Sequence, residues 1–223
     1  MSEINQAADT EALENKQKKG KGKKKEKKTV GQEILSWILT ILVAVAAALI
    51  IRSVIFEPVR VDGISMDDTL ADGEIMFVSK YDYSSTWLTL PWQSAEKKEE
   101  APRFTIGGDP KRFDVVVCRY PGRGDTNFVK RVVGLPGDTV ELRQGYLYVN
   151  GERYEEPYIL DEYRGGSLNN FGPYEVPEGE FFVMGDHRNN SNDSRSQGSL
   201  PRNMIIGHAR TVLYPFSGIR GIE

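Results

Sequence analysis

Eighteen consecutive residues without a charge, Ile34 to Ile51 (ILSWILTILVAVAAALII), limit this chain more than anything else in it. At about 1.5 Å rise per residue such a run approaches the ~30 Å hydrocarbon thickness of a bilayer. It is bounded by Glu33 and Arg52 and prolonged by Ser53-Val54-Ile55-Phe56, so a transmembrane helix is expected over residues 34–56. A cleavable leader would carry a shorter apolar stretch followed by small residues, whereas Arg52 to Pro58 is bulky and charged. A helix apolar on every face with lysines just before it is a membrane anchor more often than a core helix. Nine lysines and one acid fall between Lys16 and Lys28, too little to bury against the cost of ordering, so residues 1–33 are expected to form a disordered tail. The positive-inside rule puts that tail in the cytoplasm and residues 57–223 outside a cell membrane crossed once. Acidic lipid, rather than nucleic acid, is the expected neighbour of the lysines.

Beyond the anchor the pattern changes to period two. Residues 57–63 alternate, and Ile75–Ser79, Val115–Cys118, Phe128–Val133, Thr139–Leu142, Tyr146–Val149, Phe181–Met184 and Ile205–Leu213 read as further strands. Pro121-Gly122, Pro136-Gly137 and Asn150-Gly151 supply turn chemistry between them. The outer domain is expected to be mainly β, an antiparallel sheet. Residues 81–112 look like an insertion and 139–184 like an elaboration; neither 81–112 nor the loop-rich stretch 155–180 carries a chemical motif. A single cysteine, Cys118, excludes an internal disulfide, and with only His187 and His208 beside it a zinc site would need an unusual carboxylate shell.

Three chemistries compete for the serines. A Ser/His/Asp triad built from Asp186, His187 and Asp193 is disfavoured, because neighbours on an extended segment point opposite ways. A Ser–Lys pair has one suggestive lysine: alternation through Asn127-Phe128-Val129-Lys130-Arg131-Val132-Val133 sets Lys130 on the face of Phe128 and Val132. Burial there would lower its pKa, as a lysine base requires, although from the strand alone a lysine that snorkels to solvent is the commoner case. The third possibility is a tethered β-domain that only binds.

Gly63-Ile64-Ser65-Met66-Asp67-Asp68-Thr69-Leu70 resembles the nucleophile box S-M-x-P-T-L of bacterial type I signal peptidases. Lys130 to Asp138 (KRVVGLPGD), followed by Leu147-Tyr148-Val149-Asn150-Gly151, is similar to their lysine box. Gly185 to Arg195 (GDHRNNSNDSR) is similar to their G-D-N-R-x-x-S-x-D-S-R. The boxes follow in the family's order behind an anchor, covering residues 34–223, with Gly63 as in the Gram-positive type. Two positions depart: Asp68 stands for proline and His187 for asparagine. Asp67 and Asp68 must then face away from Lys130, since a carboxylate beside a lysine favours its charged form, and His187 is expected to be a loop donor.

The resemblance implies a signal peptidase fold and a serine endopeptidase in which Ser65 attacks, neutral Lys130 serves as base, and water resolves an acyl-enzyme. It implies Gly63 as an oxyanion donor through its backbone, Ser191 as the hydroxyl that orients the lysine, and Arg131, Asp186, Arg188, Asp193 and Arg195 as support. The substrates implied are preprotein signal peptides with small residues before the cut, met beside the secretion translocon in a shallow apolar pocket close to the bilayer. Val59, Val61, Met66, Leu70 and Phe128 are the expected pocket walls. No metal or organic cofactor is implied. The alternatives are a catalytically silent homologue that binds, and a self-cleaving repressor of the same fold, against which stands the anchor in place of a DNA-binding region.

Overall fold

A computed structural model describes residues 29–54, 56–67, 69–87, 103–124, 126–164 and 169–222. Residues 1–28 of the expected tail 1–33, Asp68 and the centre of the insertion, 88–102, lie outside the described residues, and residues 30–33 of that tail are helical. Helix α1, Val30–Val54, begins four residues before the apolar run expected to span. Its 25 residues extend about 37 Å at 1.5 Å each, and Val30–Ala48 is apolar and long enough to cross a membrane by length and composition.

The β domain forms because its strands alternate or are apolar throughout. β1 (Phe56–Arg60) ends three residues short of the expected 57–63, and β2 (Ile75–Ser79), β5 (Val115–Cys118), β6 (Phe128–Gly134), β7 (Thr139–Arg143), β8 (Tyr146–Val149), β11 (Glu180–Met184) and β13 (Ile205–Tyr214) fall within a residue of the expected runs. Polar or broken sequence hid the rest: β3 (Tyr83–Trp87) and β4 (Arg103–Gly107) form a hairpin inside the insertion, and β9 (Glu152–Arg153), β10 (Phe171–Glu175), β12 (Leu200–Pro201) and β14 (Arg220–Gly221) are short or rich in Gly and Pro. The main sheet runs β1-β2-β13-β5-β6-β11-β12 with β14 on β13, and β10-β7-β8-β9 form a second sheet; all pairings are antiparallel. Asn150 and Gly151 both take positive φ, 54° and 83°, as a tight turn between β8 and β9 requires.

Three apolar clusters fix the layers. One joins Val61, Met66 and Leu70 to Met76, Val78, Val115 and Val117. The second gathers Val116, Cys118, Val132, Phe181 and Val183. In the third, Val133, Phe182 and Met184 of the main sheet meet Val140, Leu142, Leu147 and Val149 of the second. Each such side chain contributes about 1.5–3 kcal/mol on burial.

Candidate active site

The chain leaving β1 turns sharply at residues 63–70. Gly63 sits at φ +98°, a region that residues with a Cβ avoid. Asp67 N–H donates to Ile64 O at 3.1 Å, and Thr69 and Leu70 N–H donate to Met66 O at 3.1 and 2.8 Å. Met66 and Leu70 drop into the first apolar cluster, 1% and 0% exposed, and Val61 before them lies in the same cluster, so the turn is pinned on both sides of Ser65.

Lys130 rises from β6 opposite Val116 of β5 and is only 2% exposed, which removes the snorkelling alternative. Its Nζ lies 2.6 Å from Ser65 Oγ and donates to Val129 O at 2.9 Å. Desolvation pulls the lysine's pKa below its ordinary value, against the opposing pull of the Asp193 and Asp186 carboxylates. Cys118, wholly buried, has its own thiol pushed up to about 12 by desolvation and stays neutral at physiological pH. Asp67 accepts from Tyr163 Oη at 3.4 Å.

Charged pairs surround Ser65 and Lys130. Arg131 Nη2 donates to Asp186 Oδ2 at 2.8 Å with both side chains 1% exposed, Thr69 Oγ1 donates to the same oxygen at 2.5 Å, and Arg131 covers the Tyr158 ring at 3.7 Å. Arg195 grips Asp193 twice, Nε to Oδ1 at 2.9 Å and Nη2 to Oδ2 at 2.8 Å. Burial opposes the charge of Asp193, yet Arg195 and the Gly185 N–H outweigh it and hold the carboxyl below its usual range. Arg188 donates through both terminal nitrogens to the buried Glu156. Asp186, His187 and Asp193 thus face separate partners, with no triad among them.

Two expected roles meet a different geometry. Gly63 N–H donates to Asp72 Oδ1 at 2.8 Å, so the proposed oxyanion donor is already engaged; spacing gives no sign of a partner nine residues on. The hydrogen bonds of Lys130 Nζ go to Ser65 and Val129, with Ser191 in neither place. Ser191 instead lies against Gly185, where an added Cβ would stand 2.6 Å from Ser191 Cβ and nearer still to Ser191 Oγ and Ser65 O. A cavity of about 140 Å³ opens beside the dyad, lined among others by Val59, Val61, Met66, Thr126, Phe128 and Val129. Leu70 does not line it, being committed to the core beneath.

Residues 34–214 match the family described as signal peptidase, peptidase S26. The chain belongs to this family. Signal peptidase I of Bacillus licheniformis is 37% identical over 84% of this chain and 92% of its own length. Signal peptidase I S of Bacillus subtilis (strain 168) is 36% identical over 85% and 94%. A solved signal peptidase I from Enterococcus faecalis V583 is 36% identical, with a TM-score of 0.40 over 45% of this chain and 97% of that one. Signal peptidases I are serine endopeptidases, and the mainly β architecture is the one expected of a member. Several site residues went unread in the sequence. Thr69 was visible as the threonine of the nucleophile box, but Glu156, Tyr158 and Tyr163 belong to a stretch with no motif, about 30 residues from the arginines and histidine they meet.

Proposed function

We propose that this chain is a membrane-anchored endopeptidase that removes N-terminal signal peptides from exported preproteins, with Ser65 as nucleophile and Lys130 as base. The observation that carries this is a lysine 2% exposed whose Nζ lies 2.6 Å from a serine hydroxyl, in a chain of the signal peptidase family. A lysine at its reference pKa near 10.4 is neutral in roughly one molecule in a few thousand at pH 7, and burial raises that fraction. Neutral Lys130 takes the Ser65 proton as Oγ adds to the scissile carbonyl, then passes it to the departing amine; water admitted to the ester repeats the sequence in reverse. The Ser65 backbone N–H is the expected oxyanion donor, and the Gly63 N–H joins it if substrate displaces Asp72.

The 140 Å³ cavity would take small residues ahead of the cut, and its walls Val59, Val61, Met66 and Phe128 are apolar. Arg131, Asp186, Arg188, Asp193 and Arg195 hold the frame, and Ser191 fills the floor against Gly185. α1 serves as a single transmembrane anchor whose span, expected over residues 34–56, ends with the helix at Val54, with the lysine-rich tail cytoplasmic, against acidic lipid, and the catalytic domain (57–223) outside, near the translocon. The chemistry is written without metal, organic cofactor or nucleic acid. Incubating the full chain in detergent with a preprotein, beside its Ser65→Ala form, tests this. Cleavage at the signal-peptide junction by the first alone is expected; no cleavage by either would favour a silent binding module.

A further inference from the structure

The strap of residues 154–164 presses three side chains on the motif residues. Tyr158 lies under Arg131, Glu156 holds Arg188, and Tyr163 stacks on His187 with ring centroids 3.8 Å apart and planes inclined by 22°. The first two brace ion pairs. The third reaches the nucleophile turn, because His187 grips that turn twice. Its backbone N–H donates to Ser65 O at 3.2 Å, and its Nδ1 lies 3.1 Å from Ile64 O. A carbonyl only accepts, so the contact holds the imidazole with its proton on Nδ1. Tyr163 Oη reaches Asp67 Oδ2 at 3.4 Å, and Asn189 Nδ2 donates to Glu162 O at 3.1 Å, which fastens the short helix Asp161–Tyr163 over the same place.

On the assignment of Ser65 and Lys130 as the reacting pair, we propose that Tyr163 and His187 form a positioning pair for the nucleophile. The stacked rings keep Nδ1–H on the Ile64 carbonyl and so fix the backbone from which Ser65 Oγ meets Lys130. His187 touches neither reacting atom, and its effect is on placement. Both rings are half-buried and lie nearly face to face, so each limits where the other can move. Asparagine carries its Nδ2 as many bonds from Cα as histidine carries Nδ1. It can make the same donation to Ile64 O, and only the ring for Tyr163 is lost.

The test uses the full chain in detergent with a purified preprotein. His187→Ala is expected to lower kcat about tenfold, the usual weight of one hydrogen bond, with KM within about twofold. His187→Asn should return kcat to within about threefold of wild type. Tyr163→Ala should lower kcat, and in the double Tyr163→Ala/His187→Ala variant the losses should not add, because both act through one contact. The pH at which activity turns on should stay fixed, Lys130 being untouched. Amide hydrogen exchange over residues 64–67 reads the same placement without chemistry: faster in His187→Ala, restored in His187→Asn. Wild-type kcat in His187→Ala, an equal loss in His187→Asn, additive losses, or unchanged exchange would each overturn the positioning role. Failure of the wild type to cleave while exchange responds as expected would instead refute the assigned activity and leave the positioning of the turn standing.

Discussion

Replacing Gly185 by alanine tests how tightly the nucleophile is held. The φ of Gly185 lies outside the left-handed range, so the backbone accepts alanine and the cost is collision alone. The new Cβ would stand 2.6 Å from Ser191 Cβ, about 1 Å inside the ordinary carbon–carbon separation, with Ser191 Oγ and Ser65 O closer again. Overpacking of this kind costs about 1–3 kcal/mol. For a chain of this size that is a fall in Tm of about 2–4 °C for each kcal/mol, read by near-ultraviolet circular dichroism of the full chain in detergent. Because one obstacle is the carbonyl of Ser65 itself, turnover should fall further than stability suggests, by about a hundredfold if the serine moves by an ångström. Adding Ser191→Gly removes two of the three obstacles, so the double variant should recover much of the lost Tm, a coupling that independent sites do not show. Wild-type Tm and turnover in Gly185→Ala, or strictly additive effects in the pair, would refute the close packing of Ser65 on the 185–191 loop.

Activity should rise with pH as Lys130 loses its proton, the turning point lying below the ordinary lysine range because burial lowers its pKa; stopped preprotein digests across pH read this. Lys130→Arg should be folded and inactive at every pH, since a guanidinium keeps its proton. Lys130→Met should be inactive yet at least as stable near neutral pH: the fold disfavours the ammonium there, and stability of the parent rises with pH between the folded and the unfolded lysine pKa. Asp186→Asn leaves Arg131 buried without its counter-charge and should cost about 3–5 kcal/mol, seen as a lowered Tm. Protease added outside intact spheroplasts should digest residues 57–223 and spare the lysine tail; an accessible tail would reverse the orientation.

Much of this fold was legible because its long strands alternate or are apolar throughout; in β6, alternation set Lys130 on the face of Phe128 and Val132, and there it is buried, as Arg131 is on the other face. The hairpin β3–β4 was illegible because Tyr83-Ser84-Ser85 has no alternation to read; Ser84 and Ser85 are both buried at 1%, the latter donating to Arg202 O at 3.2 Å. Ser65 and Lys130 were found through the resemblance of their boxes to those of the family. Their neighbours were not, because Glu156 and Tyr163 act on partners that only the tertiary fold brings near, and a motif-free loop announces nothing. The same limit hid Asp72: a side chain that reaches back to a glycine N–H leaves no trace in composition.

The order of strands carries a consequence for how the chain reaches its working form. β13 follows β1 to β12 in the chain, yet it lies between β2 and β5 in the middle of the sheet. On one side of it is the half that carries Ser65, on the other the half that carries Lys130. Until residues 205–214 arrive, β2 and β5 each present an open edge, a state prone to association, and the pairings that close them span long separations and form slowly. A chain stopped after Met204 should therefore be unable to join its nucleophile to its base. Activity must wait for residues 205–214, and this one strand acts as the keystone that brings the two halves into one enzyme.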